Sequence, residues 1–405
     1  MDYEKILEKT DERLKQATVL QFPGTIPQGK IIVGCGVAKT IGEEASILLA
    51  ERTLLVTDKT IVSTGMEQVV VKSLQKKEIK VDIYDDVVAE PHIEDMEVIV
   101  DKVHSAEYDL IIGLGGGSVL DTAKMASIIS KTKCDIIDIL NNYSIIKSRI
   151  PTILLPTTSG TGSEISPSLV VSAGEKKRFI STPYLYATIA LIDPLLTSTM
   201  PPRVTAATGL DALSHAVEGV TGKTNPFTMA IAAKATELVF ENLPKAVADG
   251  TDMQARYNMS FASALGMMAY IQGGGLYAHS MSYILTEKVN TPHGLGCGLA
   301  LPYTLRYNET KIDEVMNMLQ CAINNTGQFH SESTRQTIGC FYDLTKNIGM
   351  PTTLRELGIS EEAISEYAQI LIHDYYRKAN PRTMNKGEAN IFIKAMYEGN
   401  LNFSI

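Results

Sequence analysis

Asp211 and His215 lie four residues apart in the segment TGLDALSHAVEG, which has a helical pattern. Side chains at this spacing share one face of a helix, so a carboxylate and an imidazole can reach the same ligand. His279 follows in GGGLYAHSMSY, and His293 lies in TPHGLG, where the flanking proline and glycine indicate a turn or a helix start. One carboxylate and three imidazoles, with no thiolate, suit a divalent first-row metal, either Fe(II) or Zn(II).

Spacing alone leaves a plainer interpretation of these residues open. A single histidine on a helix is more often a core or interface residue bonded to a backbone carbonyl, and an aspartate four residues before a histidine can form a simple helix ion pair. The remaining histidines lie in no comparable group, and we expect them to be surface or core residues: His92, His104, His330 and His373.

A glycine-rich turn follows the apolar run YDLIIGL and opens a helical segment. Its residues are Gly115, Gly116, Gly117 and Ser118. Glycines let a backbone approach a ligand closely, and the free N–H groups at a helix start bind phosphate oxygens, so a diphosphate fits this position. The spacing is neither G-x-G-x-x-G nor a Walker loop, and tight packing of strand and helix explains such glycines equally well.

Two further strand ends favour a dinucleotide. Asp58 ends the run TLLVTD, where a carboxylate can accept hydrogen bonds from a ribose diol and repel a 2′-phosphate, which favours NAD over NADP. It can also be a helix N-cap, and the two roles are compatible. The segment from Pro156 to Glu164 is rich in hydroxyls and glycines. It can bond a nicotinamide or ribose, or be an ordinary Thr/Ser-rich turn.

The elements around these residues indicate two domains. In the first half, short continuous apolar runs alternate with helical stretches at 62–77, 92–106 and 119–131, which predicts a doubly wound α/β domain with a parallel sheet. After Asp193 the sequence becomes rich in Ala, Met, Leu and Glu with long helical patterns, which predicts an all-α domain. We place the domains at residues 1–196 and 197–405, and residues 1–20 are consistent with an added amphipathic helix.

Charge and composition exclude several classes of function. The chain has 405 residues with 37 Lys+Arg against 46 Asp+Glu, a formal net charge of -9, which argues against nucleic acid or an acidic membrane surface as partner. The five cysteines form no C-x-x-C pair and are expected to be reduced core thiols. The charged N-terminal segment lacks the apolar run of a signal peptide or membrane span, so we expect a cytoplasmic location.

Taken together, these motifs resemble the iron-containing (group III) alcohol dehydrogenases. The resemblance rests on the turn from Gly115 through Asp121 to Lys124, the 156–164 segment, the stretch 201–219, and the HSMSY and TPHG segments, and it runs from about Phe22 to Arg382. It implies an NAD-binding α/β domain and a helical metal domain, with cofactor and metal meeting between them. It also implies a small primary alcohol or aldehyde as substrate and a homodimer or higher homo-oligomer.

By matching position, the resemblance assigns the metal ligands as Asp211, His215, His279 and His293. It assigns the NAD contacts as Asp58, Gly115, Gly116, Gly117, Ser118, Asp121, Thr157, Thr158, Thr161 and Lys177. Lys176 is the alternative to Lys177, because the register there is loose. In such an enzyme the metal is a Lewis acid on the substrate oxygen, and NAD accepts or gives the hydride.

The sequence departs from the family at three places. Tyr283 occupies the position where many members carry a histidine assigned to proton relay, so it is the candidate catalytic residue, with shaping of the pocket as the alternative role. Tyr376-Arg377-Lys378 replaces small residues near the substrate; two cations there favour an anionic aldehyde, unless they form a solvated basic loop. Glu90 replaces a frequent asparagine of the cofactor site.

The predicted function is hydride transfer between NAD(H) and a metal-bound small primary alcohol or aldehyde. Two alternatives remain at this point. One is a glycerol-phosphate-dehydrogenase-like or dehydroquinate-synthase-like enzyme on the same architecture, although the chain lacks the basic clusters expected around a phosphorylated substrate. The other is a non-catalytic assembly protein, which conflicts with four intact ligand positions.

Overall fold

A computed structural model of the chain describes residues 3–16, 18–21, 29–132, 134–174 and 176–404. These residues form two compact units. The first comprises Met1–Thr158 and Gly162–Met200, and the second comprises Ser159–Thr161 and Pro201–Ile405. The units therefore part after Met200, whereas the expected boundary followed residue 196. The assignment of NAD binding to one and metal binding to the other stays a prediction.

The first unit is built on a sheet whose described strands follow the order β1-β2-β9-β6-β5-β3-β4. β1 pairs antiparallel with β2, and the neighbouring pairs from β2 to β4 are parallel. The strands of this sheet are β1 (Thr18–Gln21), β2 (Lys30–Val33), β3 (Arg52–Val56), β4 (Lys80–Tyr84), β5 (Leu110–Gly115), β6 (Thr152–Pro156) and β9 (Ile189–Ile192). An antiparallel hairpin adds β7 (Ser168–Ala173) and β8 (Lys176–Ser181).

Helices precede the first strand and lie between later strands. They are α1 (Tyr3–Lys9), α2 (Glu12–Lys15), α3 (Ile41–Ile47), α4 (Lys59–Thr64), α5 (Glu67–Gln75), α6 (Ile93–His104), α7 (Gly117–Ile129) and α8 (Ile136–Asn141). Short 3₁₀ turns lie at Val37–Thr40, Tyr143–Ile145, Pro183–Leu185 and Pro194–Thr197. The expected single helix over residues 1–20 is wrong, because two short helices are followed by edge strand β1.

The strand order explains where a ligand of this sheet binds. β4 and β5 lie on opposite sides of β3, so the winding direction reverses between β3 and β5. Ligands of doubly wound sheets bind beyond the carboxyl ends of the strands at such a reversal. β5 and β6 are buried along their full length, as their continuous apolar sequences predict. The fold class predicted for this part of the chain is confirmed.

The second unit is helical over its described residues. Its helices are α9 (Pro202–Gly222), α10 (Pro226–Ala248), α11 (Met253–Gly273), α12 (Tyr277–Val289), α13 (His293–Asn308), α14 (Asp313–Asn324), α15 (Thr334–Asn347), α16 (Ala363–His373) and α17 (Lys386–Glu398), with a 3₁₀ turn at Glu309–Lys311. The all-α prediction is confirmed. No helix in the described part of the chain is both long enough and apolar enough to cross a membrane.

Glycines allow unusually close packing of α9 against α11. A Cβ atom added to Gly273 would lie 1.9 Å from the carbonyl oxygen of Gly219, and one added to Gly219 would lie 2.4 Å from the backbone of Ala269. Side chains other than hydrogen cannot occupy these positions without separating the helices. The helix that carries Asp211 and His215 is therefore fixed backbone to backbone against its neighbour.

Candidate functional site

Helix α9 carries Asp211, His215 and Glu218 at intervals of four and three residues, which places the three side chains along one face. The helix begins at Pro202, a residue favoured at the first helical position, and it is buried along most of its length. The three side chains are ionisable groups within a mostly buried helix, and each is at most 5% exposed. Such burial of polar groups requires partners or a ligand.

Helices α12 and α13 supply the other candidate ligands. His279 is the third residue of α12, and His293 is the first residue of α13, directly after the N-cap Pro292. Cys297 follows His293 by one helical turn and is fully buried. A Cβ atom on Gly294 would lie 2.1 Å from the carbonyl oxygen of Ala207 in α9, so this glycine lets α13 approach α9.

The structure brings donor atoms of Asp211, His279, His293 and Cys297 within 4.8 Å of one another. His293 Nε2 lies 3.7 Å from Asp211 Oδ1 and 3.6 Å from Cys297 Sγ. His215 lies beside this group, with its Nε2 atom 3.9 Å from Asp211 Oδ1. The arrangement collects the four predicted ligand side chains in one place and adds a thiol, whereas the sequence-based choice of metal assumed that no thiol was involved.

Each of the three imidazoles has its Nδ1 atom engaged by the protein. His279 Nδ1 is hydrogen-bonded to the carboxylate of Glu218, and His215 Nδ1 lies 3.2 Å from the carbonyl oxygen of Gly160. His293 Nδ1 lies 2.8 Å from the hydroxyl of Ser282, whose own proton is donated to the carbonyl oxygen of His293 at 2.6 Å. Acceptors at Nδ1 fix the tautomer in which Nε2 carries the lone pair, as in metal-binding histidines.

Two atoms of this group are buried without a hydrogen-bond partner among the described residues: Asp211 Oδ1 and His279 Nε2. A buried acceptor without a donor destabilises a protein by roughly 1–3 kcal/mol. A cation that receives both lone pairs removes this penalty. The protein atoms by themselves therefore show that the donor set fits a divalent metal ion.

Electrostatics keep His279 and His215 neutral and the carboxylate of Asp211 charged. Burial, together with the neighbouring imidazoles, lowers the pKa of His279 well below its ordinary value, and burial also lowers the pKa of His215. Burial opposes ionisation of Asp211, but His215, His293 and His279 outweigh it and lower the pKa of this carboxyl. These are the protonation states that metal binding requires.

Glu218, Ser282 and Cys297 are site residues that the sequence analysis missed. Burial raises the pKa of Glu218 to about 7, and its other carboxylate oxygen accepts the backbone N–H of Ala278 at 2.8 Å. Helical spacing from a predicted ligand could have identified two of these residues. Glu218 lies three residues after His215 on the same face, and Cys297 lies four residues after His293. The four histidines set aside in the sequence analysis are all exposed.

Tyr283 and Arg377 lie beside the histidine cluster. The ring of Tyr283 stacks on that of His293 with centroids 5.3 Å apart, and the guanidinium of Arg377 lies 5.5 Å from the centroid of the Tyr283 ring. Arg377 also donates from Nε to the hydroxyl of Ser280 at 2.9 Å. Lys378 is exposed, as expected for a solvated basic loop. Arg377 instead packs against Tyr283.

Burial raises the pKa of Tyr283 above its ordinary value, although Arg377 acts in the opposite direction. The phenol therefore remains neutral at physiological pH. A neutral phenol is a poor proton acceptor, which favours pocket shaping over proton abstraction for this residue.

The glycine-rich turn lies at the carboxyl end of β5, and its glycines have different causes. A Cβ atom on Gly115 would lie 2.5 Å from Val119, so packing requires this glycine. A Cβ atom on Gly116 would meet only Thr158, at an ordinary 3.5 Å, and its φ of -75° suits any residue. Contacts within the protein therefore do not explain Gly116, which caps the N-terminus of α7. A ligand that approaches the start of α7 closely stays a prediction at this position.

Asp58 follows the adjacent strand, β3, and its side chain accepts the N–H of Ile61 at 3.0 Å as the N-cap of α4. The predicted capping role is therefore present. Thr157 follows β6 on the other side of β5, where its N–H donates to the carbonyl oxygen of Gly115 at 3.0 Å. Residues Ser159–Thr161, which include the predicted contact Thr161, belong to the second unit.

Asp121, predicted as an NAD contact, has partners within the protein at both carboxylate oxygens. Oδ1 accepts the hydroxyl of Ser163 at 2.6 Å, and Oδ2 accepts the N–H of Val170 at 2.9 Å. The buried ammonium of Lys124 joins this network through Ser163 at 2.8 Å and the carbonyl oxygen of Ser168 at 2.7 Å. These bonds tie α7 to the strand-end segment and to hairpin strand β7.

Glu90 connects two other predicted cofactor residues. Its N–H donates to the hydroxyl of Ser118 at 3.1 Å, and its carboxylate forms an ion pair with Lys177 of β8. Glu90 adopts a φ of +52°, an uncommon conformation for a residue with a side chain. The side chain of Lys176, the alternative to Lys177, lies outside the described part of the structure.

Comparison with known proteins gives a consistent result. The family model described as "Iron-containing alcohol dehydrogenase" matches residues 27–194, and that of the "Fe-containing alcohol dehydrogenase family, C-terminal" matches residues 205–397. Long-chain-alcohol dehydrogenase 1 of Geobacillus thermodenitrificans (strain NG80-2) is 34% identical over 377 residues, which cover 91% of this chain and 95% of that protein.

Solved structures agree. An alcohol dehydrogenase from Oenococcus oeni superimposes with a TM-score of 0.85 at 29% identity, covering 94% of this chain and 100% of the other. Sulfoacetaldehyde reductase from Bifidobacterium kashiwanohense, solved in complex with NAD+, superimposes with a TM-score of 0.81 at 29% identity, covering 94% and 98%. The chain belongs to the iron-containing alcohol dehydrogenase family and is an oxidoreductase.

Proposed function

We propose that this oxidoreductase reduces a small aldehyde to the primary alcohol with NADH, and catalyses the reverse reaction with NAD+, using a metal ion bound by Asp211, His215, His279 and His293. The observation that carries the proposal is the shared orientation of three imidazoles. Each engages a protein group through Nδ1, which leaves Nε2 for a metal ion near Asp211. A helix ion pair or a core histidine requires no such arrangement at three positions.

A divalent ion at this position supplies Lewis acidity toward the substrate oxygen. Glu218, Gly160 and Ser282 orient the three imidazoles that would bind the ion. Neutral imidazoles and a single carboxylate would leave the metal centre with a net positive charge. We favour Fe(II) over Zn(II) from the carboxylate and imidazole donors.

For the cofactor we propose NAD, with its diphosphate at the N-terminus of α7 and its adenosine ribose at Asp58. Gly116 supports this position, because a ligand explains the glycine and protein packing does not. The loops after β3 and β5 flank the reversal in strand order, where dinucleotides bind in doubly wound sheets. The remaining proposed contacts are Gly115, Gly117, Ser118, Asp121, Thr157, Thr158, Thr161 and Lys177.

We further propose that the aldehyde carries an anionic group recognised by Arg377. Arg377 lies over Tyr283, which itself stacks on the ligand His293, so its charge is close to the place where substrate must bind. The structural relative named above is a sulfoacetaldehyde reductase, whose substrate is an anionic aldehyde. In this proposal Tyr283 shapes the pocket and packs against Arg377. The proton exchanged with the substrate oxygen passes through water or a ribose hydroxyl.

The comparisons favour this class over a glycerol-phosphate-dehydrogenase-like or dehydroquinate-synthase-like enzyme and over a non-catalytic assembly protein. A direct test is metal analysis of protein prepared without oxygen, followed by NADH oxidation with a panel of small aldehydes. We expect stoichiometric metal and NADH oxidation, both lost in His279→Ala and retained in His330→Ala, which changes an exposed histidine. If the protein retained no metal and none of the aldehydes caused NADH oxidation, a non-catalytic assembly protein would again be the better interpretation.

A homodimer or higher homo-oligomer and a cytoplasmic location remain predictions. Sedimentation analysis and cell fractionation are the measurements that decide them.

A further inference from the structure

Cys297 is the group in the histidine cluster to which the proposed function gives no task. It is fully buried on α13, one turn after His293. The described structure also contains other free cysteines, Cys35, Cys134, Cys321 and Cys340, of which Cys321 is exposed, contrary to the expected core position. Among the described residues, the cluster of potential metal donors includes Cys297 and no other cysteine.

The distances around Cys297 Sγ suit two donors on one ion. Zinc binds sulfur at about 2.3 Å and imidazole nitrogen at about 2.0–2.1 Å, so a sulfur and a nitrogen at an angle of about 90–120° on one ion lie roughly 3.1–3.8 Å apart. Cys297 Sγ is 3.6 Å from His293 Nε2. Donors on opposite sides of an ion would lie about 4.4 Å apart by the same bond lengths. The donor atoms of Asp211, His279, His293 and Cys297 all lie within 4.8 Å of one another, which is close to this maximum.

The neighbours of the thiol point to a ligand independently. Asp211 Oδ1 and His279 Nε2 are buried, belong to side chains at most 2% exposed, and have no hydrogen-bond partner among the described residues. Both atoms belong to the same cluster as the sulfur. A thiol that merely filled space would not need to share a cluster with two unsatisfied acceptors.

We propose that Cys297 Sγ is an additional ligand of the ion held by Asp211, His215, His279 and His293. The inference rests on the metal site of the proposed function and extends it. On binding, one sulfur–metal bond forms, the thiol proton passes to solvent, and the oxidation state of the metal does not change. A thiolate softens the donor set, which shifts the preference from Fe(II) toward Zn(II).

The competing explanation is hydrogen bonding alone, in which the thiol donates to His293 Nε2 over 3.6 Å or to the carboxylate of Asp211. In that case the sulfur has no contact with the metal. The two explanations differ in the metal spectrum rather than in activity.

Replacement of the resident metal by Co²⁺ in the full-length enzyme tests the proposal. Wild-type protein should show an intense near-ultraviolet sulfur-to-cobalt charge-transfer band, which nitrogen and oxygen ligands do not produce. Cys297→Ser should lose the band. In the zinc-loaded wild type, X-ray absorption should detect sulfur at about 2.3 Å from the metal. Cys297→Ser should also weaken zinc binding by about tenfold or more, which corresponds to at least 1.4 kcal/mol.

Cys340→Ser is the matched control, because it removes another buried thiol of the same unit that lies outside the donor cluster. It should retain the charge-transfer band and the zinc affinity. Wild-type protein that binds Co²⁺ and Zn²⁺ without a sulfur signal overturns the role of Cys297 and leaves the proposed function intact. Failure of the wild type to bind either ion overturns both. The wild-type spectra decide the question even where Cys297→Ser does not fold.

Discussion

His279 and Glu218 are hydrogen-bonded between Nδ1 and the carboxylate, with both side chains at most 2% exposed. This bond fixes the imidazole so that its Nε2 atom joins the donor cluster. Glu218→Gln keeps the shape and removes the charge, and we expect metal affinity to fall about 10- to 100-fold. Competition with a chelator measures the affinity.

Glu241→Gln is the control for this change, since Glu241 pairs with Lys245 on α10 and is 40% exposed. Its metal affinity should equal that of the wild type. Unchanged affinity in Glu218→Gln would show that the carboxylate charge does not influence the ion.

The two adjacent glycines after β5 give a matched pair of variants. Gly116→Ala should keep the fold, with a change in the free energy of unfolding below about 1 kcal/mol, because the new Cβ meets only Thr158 at 3.5 Å. It should nevertheless raise the KM for NADH by about tenfold, roughly 1.4 kcal/mol. Gly115→Ala should destabilise the protein by about 1–3 kcal/mol through overlap with Val119. Denaturation curves and NADH kinetics separate these effects, and normal NADH kinetics in Gly116→Ala would place the diphosphate elsewhere.

Asp58 combines a cap and a charge that substitution can separate. Asp58→Asn retains an N-cap side chain for α4 and removes the charge, so stability should be unchanged while the ratio of kcat/KM for NADPH to that for NADH rises. Asp58→Ala should raise the same ratio and also lose about 1 kcal/mol of stability with the cap. A cofactor ratio that does not change in either variant contradicts the proposed ribose contact.

Arg377 is tested by substrate charge. Arg377→Ala should lower kcat/KM for an anionic aldehyde roughly 10- to 100-fold, the range expected for losing a hydrogen bond to a charged group of about 1.5–3 kcal/mol. It should change kcat/KM for a neutral aldehyde of equal length much less. Lys378→Ala, which alters the exposed neighbour, should have little effect on either substrate. An equal loss for both aldehydes in Arg377→Ala would indicate a structural role only.

Tyr283→Phe addresses the pH dependence. Because burial raises the pKa of this phenol above its ordinary value near 10, the neutral form persists from about pH 6 to pH 9 and contributes no step to the rate profile there. We expect the variant to keep most of the activity and an unchanged pH profile of kcat/KM. Loss of an acid or base limb would instead assign the proton relay to the phenol.

Local sequence patterns predicted much of this fold and site. Continuous apolar runs located β3, β5 and β6, and helical spacing placed Asp211 and His215 on one face. Such features depend on residues close in sequence, so a single chain displays them. The edge strand β1 and the hairpin β7–β8 were missed, because their pairing is set by neighbours that the local pattern does not reveal.

Partners distant in sequence account for the remaining differences. Asp121 bonds Val170, 49 residues away, and His279 bonds Glu218, 61 residues away. Neither bond has a local signal. The thiol of Cys297 was visible at helical spacing from His293, but its approach to Asp211 and His279 depends on how α9, α12 and α13 pack.

The contact between Gly219 and Gly273 has a thermodynamic consequence for the candidate metal centre. Because the backbones of α9 and α11 are in direct contact there, no flexible side chain separates the two helices. Movement of α9, which carries two of the proposed ligands, is therefore restricted. An ion entering this centre would find its ligands already ordered and would lose little of its binding free energy to conformational entropy. Gly219 and Gly273 would therefore influence the metal affinity, although neither residue is a proposed ligand.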